Sequence, residues 1–167
     1  MRKIITILLF CLSGLIQAGN VSASNDKLVQ SNALREPDTV RWALAQVESG
    51  HLKNPDAARG ASGEISRFQI MPEIWKDYTR SRNFRNPTIA WSVAHRILRD
   101  RHSWFTSSTG REPSPFDLYV MWNKPGLYGR VGFDPQKLPR RLRDVATRFA
   151  NLFESFQTKR VVSVQGE

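Results

Sequence analysis

The sequence predicts a mainly α-helical domain with a short β-like excursion around residues 60–71. Two observations lead to this prediction. In several segments apolar residues recur with helical spacing, and these segments begin at a proline. Between residues 60 and 71 this spacing is interrupted by a Gly-rich turn, Gly60 to Gly63, and by the short stretch Phe68 to Met71. One helical domain with a single core is therefore expected.

The N-terminal segment has the pattern of a secretory signal peptide. Arg2 and Lys3 precede an apolar run at residues 4–15, and small residues follow up to Ala23, after which we expect cleavage. The run is short for a membrane span, so membrane contact is expected only through an uncleaved signal segment. Residues 24–36 are polar and without periodicity, which predicts a flexible tether.

Composition and charge limit the cellular compartments and the binding partners that can be expected. Cys11 is the only cysteine and lies in the predicted signal peptide, so the mature chain has no disulfide and no thiol nucleophile. The formal net charge is +10 and the pI is near 10.5. An exported basic protein meets anionic envelope polymers, and no nucleic-acid-binding motif is present. We expect export to the periplasm or cell envelope, or secretion, and no nucleic-acid partner.

The first predicted helix runs from Pro37 to Gly50 and places Glu48 in its last turn. The partial negative charge of a helix C-terminus disfavours an ionised carboxylate there, and nearby apolar side chains act in the same direction. Both effects raise the pKa of Glu48 and favour the protonated form near neutral pH, as a general acid requires. The alternative is a solvated glutamate at a helix end.

Three helices are predicted in the middle of the chain. Each has a proline at its first helical position: Pro72, Pro87 and Pro115. Asn86 and Ser114 precede the last two as N-cap residues. Residues 106–113 are rich in Ser, Thr, Gly and Pro and are predicted to form a loop. The third helix is expected to end at Pro125 and Gly126.

A final helix is predicted after Pro139. Its apolar residues fall on one side: Leu142, Val145, Ala146, Phe149, Leu152, Phe153 and Phe156. Its arginines lie largely outside this stripe. This pattern is typical of the closing helix of a bundle and also of a helix on a membrane surface, and we favour the closing helix. The domain is therefore predicted to span residues 37–156, followed by a loose tail at 157–167.

Several short motifs stand in a fixed order along the chain: Glu48-Ser49, Gly60-Ala61-Ser62-Gly63, Gln69-Ile70-Met71-Pro72 and the stretch from Tyr119 to Gly126. Together they resemble the catalytic signature of the soluble lytic transglycosylases, a family with a goose-type lysozyme-like fold. The resemblance implies a lysozyme-like helical domain. It also implies cleavage of the bond between N-acetylmuramic acid and N-acetylglucosamine in the glycan strands of peptidoglycan.

The resemblance also implies residue roles. Glu48 would protonate the leaving oxygen and then deprotonate the muramyl C6 hydroxyl, which attacks internally to give a 1,6-anhydro end. Gln69 and Asn123 would position the sugar, with Met71 and Trp122 as apolar walls.

Two residues near these motifs keep alternatives open. Glu64 is a second acidic residue in this region. Three roles are open for it: a catalytic carboxylate, a sugar-binding group or an ion-pair partner of Arg67. With Glu64 as base, the protein would be a muramidase that uses water. A third hypothesis is a non-catalytic peptidoglycan-binding protein. Ser49 is a candidate substrate contact, and its other role is a hydrogen bond that holds the loop after Glu48.

No metal or other cofactor is expected. His95 and His102 are too far apart on one helix face for paired ligation, and no further ligands accompany them. Trp75, Trp91 and Trp104 are expected in the core rather than on a sugar-binding surface. Whether an envelope protein also binds this chain is left open.

Overall fold

The computed structural model describes Leu34 and residues 37–165, and this part of the chain is mainly helical. Its α-helices are α1 Pro37–Ser49, α2 Pro72–Tyr78, α3 Pro87–Thr109, α4 Pro115–Asn123, α5 Pro125–Arg130 and α6 Arg140–Gln165. Short 3-10 turns at Pro55–Ala57 and Pro135–Lys137 lie in the connections. The predicted mainly α fold class is confirmed. The predicted signal peptide and nearly all of the predicted tether lie outside the described residues.

Helix α4 lies at the centre of the domain and packs against α3, α5 and α6. Its apolar residues are almost entirely enclosed: Leu118, Tyr119, Val120, Met121 and Trp122. Helix α1 packs mainly against α6 and also contacts α3. The C-terminal ends of α1 and α4 both contribute to the cleft described below.

The predicted helix starts are confirmed at Pro37, Pro72, Pro87 and Pro115. The side chain of Asn86 accepts hydrogen bonds from the N–H groups of Thr88 and Ile89, each at 3.0 Å. Ser114 and Asp117 form a reciprocal capping box at the start of α4. These caps satisfy backbone donors that have no partner within the helix.

Three helix boundaries differ from the sequence prediction. Helix α3 continues to Thr109, through part of the predicted loop at 106–113. The next residue, Gly110, caps the helix with a φ of 69°, which suits glycine. Pro125 begins α5 instead of ending the helical structure, as a proline at a first helical position permits. Helix α6 continues past Phe156 to Gln165, where a loose tail was predicted.

The β-like excursion is present and small. It consists of two isolated antiparallel bridges, which join Ile65 to Arg59 and to Ile70. Ile65 and Ile70 exchange backbone hydrogen bonds of 2.8 and 2.9 Å. The turn between the first pair contains Gly63 at a φ of +93°, which a side chain would strain. This hairpin-like segment is one wall of the cleft.

The tryptophans divide between core and surface. Trp75 is buried as predicted, and Trp91 is half-buried with its ring centroid 5.7 Å from that of Phe68. The prediction for Trp104 is wrong, because its side chain is 41% exposed and packs edge-on against Phe133. Among the described helices none has the length and apolar character needed to cross a membrane.

Candidate active site

A cleft of about 510 Å³ lies where the ends of α1 and α4 meet the β-like excursion and α3. It brings together most of the residues predicted for the site: Glu48, Glu64, Gln69, Met71, Trp122 and Asn123. These side chains come from separate segments of the chain. Ser49 is the predicted site residue that does not line this cleft.

Glu48 lies in the last turn of α1, as predicted, and its carboxyl group is largely enclosed. Its Oε1 atom is buried and has no hydrogen-bond partner among the described residues. Burial raises the pKa of Glu48 from 4.5 to about 7. At neutral pH a large fraction of the molecules therefore carry a protonated Glu48. The protonated form is the one that can donate a proton.

The groups around Glu48 modify this pKa in both directions. The Tyr119 hydroxyl and the Trp122 indole lie close enough to lower the pKa in part, although neither completes a hydrogen bond to Oε1. The negative charge of Glu64 raises the pKa further, and the positive charge of Arg148 lowers it. Burial and the neighbouring Glu48 raise the pKa of Tyr119, so this phenol remains neutral. Tyr119 is the first residue of the motif that extends to Gly126, but no role was predicted for it.

Ser49 has a positioning role. Its side chain is 0% exposed, and its Oγ donates a hydrogen bond of 2.8 Å to the backbone carbonyl of Arg67. The predicted direct contact with substrate is therefore corrected in favour of the alternative, a hydrogen bond that holds the loop. Arg67 in turn binds both oxygens of Asp56, at 2.5 and 2.6 Å, and does not pair with Glu64. The excursion is thus fastened to the end of α1.

Glu64 and Gln69 converge over Gly60. A Cβ atom at Gly60 would lie 2.1 Å from Oε2 of Glu64 and 2.6 Å from Oε1 of Gln69, so the absence of a side chain there makes room for both. Glu64 Oε2 also accepts a hydrogen bond of 3.0 Å from the N–H of Ser62. Gln69 adopts a φ of 50°, which is uncommon for a residue with a side chain, and its Nε2 donates to the Ser66 carbonyl at 3.0 Å.

Two arginines for which no role was predicted donate hydrogen bonds to backbone carbonyls at helix ends beside the cleft. Arg101 of α3 lines the cleft and donates to the carbonyls of Met121, at 3.1 Å, and of Trp122. Its guanidinium also lies 5.5 Å from the centre of the Trp122 ring. Arg148 of α6 donates to the carbonyl of Val47 at 3.2 Å. No local pattern marks these arginines, because their partners are distant in sequence.

The arrangement suits general acid–base chemistry on a ligand that enters the cleft. One carboxyl group with a pKa near neutrality faces amide side chains and an apolar wall. Within the described residues no group of three His, Cys, Asp or Glu side chains is placed to hold a metal ion. His102 instead pairs with Glu112 at 2.7 Å.

No protein-family model matches the chain, and searches of curated proteins and of solved structures found no significant match.

Proposed function

We propose that this protein is an exported lytic transglycosylase that cleaves the glycan strands of peptidoglycan, as the resemblance of its motifs implies. The observation that carries the proposal is the setting of Glu48, a buried carboxyl group with a pKa of about 7 and an unpartnered oxygen in a cleft. The same cleft collects Gln69, Met71, Trp122 and Asn123, for which the resemblance implies contacts with sugar.

In the first step, protonated Glu48 donates its proton to the oxygen between the muramyl C1 atom and the next sugar. The C1–oxygen bond breaks, and N-acetylglucosamine leaves with a free C4 hydroxyl. The acetamido oxygen of the muramyl ring stabilises the positive charge that develops at C1. Among the described residues no donor reaches the buried Oε1 atom of Glu48, which supports this role, because the ionised form lacks that stabilisation and the carboxyl group keeps its proton more readily.

In the second step, ionised Glu48 takes the proton of the muramyl C6 hydroxyl. The C6 oxygen attacks C1 and closes the 1,6-anhydro ring, so Glu48 is protonated again and no water is consumed. One carboxyl group thus acts as acid and then as base. Trp122 is among the residues that line the cleft and would form the apolar wall against the sugar ring that the resemblance implies.

A muramidase that uses water is the second candidate, because Glu64 lines the same cleft as Glu48. Hydrolysis requires a carboxylate that activates or replaces water. The hydrogen bond between Glu64 and the N–H of Ser62 favours the transglycosylase, since it ties this carboxylate to its own turn.

Mass spectrometry of the products distinguishes these reactions. The mature protein is incubated with purified peptidoglycan, and the soluble fragments are weighed. We expect 1,6-anhydromuramyl ends. Reducing muramyl ends, heavier by one water, would establish hydrolysis, and binding to the wall without any product would favour a non-catalytic protein.

Replacement of the acid tests the assignment of Glu48. We expect Glu48→Gln to lower the cleavage rate roughly 10²- to 10⁴-fold, because glutamine cannot exchange the proton, while binding to the wall persists. Glu154→Gln is the matched control, since Glu154 is exposed on α6 and should leave the rate unchanged. Normal cleavage by Glu48→Gln would refute the assignment.

A further inference from the structure

A second pocket, of about 610 Å³, lies beside the candidate active site and has no part in the proposed reaction. Residues of the excursion and of α2 line both sites. Gly60, Glu64 and Met71 line the cleft, and their neighbours Arg59, Ile65 and Pro72 line the pocket. Because adjacent Cα atoms are about 3.8 Å apart, the cleft and this pocket share the same stretch of backbone as a wall.

The rim of the pocket is strongly basic. Four cationic residues of the described part of the chain line it: Arg59, Lys76, Arg80 and Arg82. No described aspartate or glutamate is among the lining residues. Each of the four is exposed, and none forms an ion pair with another described residue. Arg85 adds a further positive charge near the pocket, 6.0 Å from the centre of the Phe84 ring. This concentration of charge attracts an anionic ligand.

The floor of the pocket is apolar, and its residues are Ile65, Pro72, Trp75 and Phe84. The Arg59 guanidinium lies 5.1 Å from the centre of the Phe84 ring, so the apolar floor and the basic rim are in contact. A ligand that fits this pocket combines negative groups with small apolar groups.

Hydrogen bonds hold the loop that carries Arg80 and Arg82. The indole of Trp75 donates a hydrogen bond of 2.6 Å to the carbonyl of Ser81, between the two arginines. The Ser81 N–H donates to Thr79 Oγ1 at 3.1 Å, and the Phe84 N–H donates to the Arg82 carbonyl at 3.0 Å. A loop fixed in this way loses less conformational entropy when a ligand binds.

We infer that this pocket binds the carboxylate-bearing peptide stems of peptidoglycan, which branch from the muramyl residues of the strand in the cleft. The inference rests on the proposed function for its ligand. Guanidinium groups bind carboxylates through paired hydrogen bonds, and alanine methyl groups of a stem contact the apolar floor. A phosphate polymer satisfies the basic rim but leaves this floor without a partner. The pocket would thereby select strands that still carry stems.

The test measures binding of a free stem peptide, alanyl-γ-glutamyl-diaminopimelyl-alanine, to the mature chain by isothermal titration calorimetry. We expect the double variant Arg80→Gln/Arg82→Gln to bind this peptide roughly 5- to 30-fold more weakly. The matched control is Arg140→Gln/Lys159→Gln, which removes the same charge from exposed positions on α6 and should bind normally. Circular dichroism verifies that both variants are folded.

Further ligands separate the sources of binding. A stem with amidated carboxyl groups should bind poorly, and polyphosphate should bind less well than the stem. Equal weakening in both double variants, or binding of polyphosphate but not of the stem, would overturn the inference. Cleavage of peptidoglycan strands that still carry their stems is measured separately. Cleavage without stem binding refutes the pocket alone, and stem binding without cleavage refutes the proposed reaction alone.

Discussion

Glu48 and Asp117 are enclosed carboxyl groups with opposite surroundings. Within the part of the chain that the structure describes, Oε1 of Glu48 has no hydrogen-bond partner, whereas the oxygens of Asp117 accept hydrogen bonds from Arg111, Tyr128 and Ser114. Burial raises the pKa of Glu48 to about 7. Burial acts in the same direction on Asp117, but its hydrogen bonds outweigh burial and lower its pKa. A satisfied carboxylate stabilises the fold, and an unsatisfied one keeps a proton available for chemistry.

Helix geometry strengthens this contrast. Asp117 lies in the first turn of α4, where the partial positive charge of the helix end favours a carboxylate. Glu48 lies in the last turn of α1, where the partial charge is negative. The same functional group is therefore stabilised as an anion at one helix end and disfavoured as an anion at the other.

The largest effect on stability is expected from Asp117→Asn. The asparagine NH₂ group would oppose donors from Arg111 and Ser114, and it would leave the guanidinium without its counter-ion. We expect a loss of roughly 2–4 kcal/mol in the free energy of unfolding, measured by urea denaturation, with the lower end favoured because Arg111 is 47% exposed.

Asp144→Asn is the control for this change, because Asp144 is 68% exposed and its pair with Arg140, at 3.9 Å, contributes little. The low pKa of Asp117 stabilises the fold above the unfolded-state value of 3.8, and this contribution disappears as pH falls through the folded-state pKa. Asp117→Asn should therefore lose part of the acid dependence of stability. An unchanged urea midpoint would contradict the assigned role of this cluster.

Glu48→Gln should have the opposite effect on stability. Because the folded-state pKa of Glu48 is raised, the contribution of this one group favours the fold most below pH 4.5 and is lost as pH rises from 4.5 to about 7. At about 1.4 kcal/mol for each pH unit, the rise in the pKa corresponds to roughly 3.5 kcal/mol as an upper value. Glutamine removes this cost, so the variant should be more stable than the parent above pH 7 and similar below pH 4.5.

Urea denaturation at several pH values measures this difference. Glu154→Gln, on the exposed face of α6, should follow the parent at each pH. A Glu48→Gln variant that is less stable than the parent at alkaline pH would show that Glu48 has stabilising partners when ionised.

Ser49→Ala should have a smaller effect beside the same helix end. The change removes the hydrogen bond to the Arg67 carbonyl and leaves that carbonyl without this donor. We expect destabilisation of about 1–2 kcal/mol, together with slower cleavage, because the excursion loses its link to α1. Ser107→Ala is the control, since Ser107 is exposed on α3 and should tolerate the change. Parent-like stability and cleavage in Ser49→Ala would refute the positioning role.

The smallest effect is expected from Glu64→Gln. Removing this negative charge should lower the pKa of Glu48, because Glu64 is a secondary cause of its rise after burial. The decline of kcat/KM at alkaline pH should then begin at a slightly lower pH, with cleavage retained. Loss of cleavage comparable with that of Glu48→Gln would favour the muramidase with two carboxyl groups.

The sequence predicted features that depend on nearby residues. A proline and the residue before it were sufficient to place the starts of α3 and α4, since capping involves backbone groups within the first turn. The same local information placed Glu48 in the last turn of α1 and indicated the direction of its pKa shift. Short motifs likewise located the residues that meet in the cleft.

Where helices end was less predictable. Helix α3 continues to Thr109 because Phe105, in its last turns, is fully buried and packs against Phe133 and Tyr128. Pro125 is compatible both with an end and with a new start, and the fold uses it to begin α5. Tertiary packing therefore outweighed the polar composition of residues 106–113.

By itself, the sequence determined the helical class, the caps and the location of a candidate acid at a helix end. Only the tertiary structure decided that Arg111 and Tyr128 satisfy Asp117, that no other described residue binds Oε1 of Glu48, and that Ser49 faces inward. Helix signals act over about one turn, whereas burial and long-range hydrogen bonds depend on how distant segments pack. The chemistry proposed for Glu48 depends on that packing.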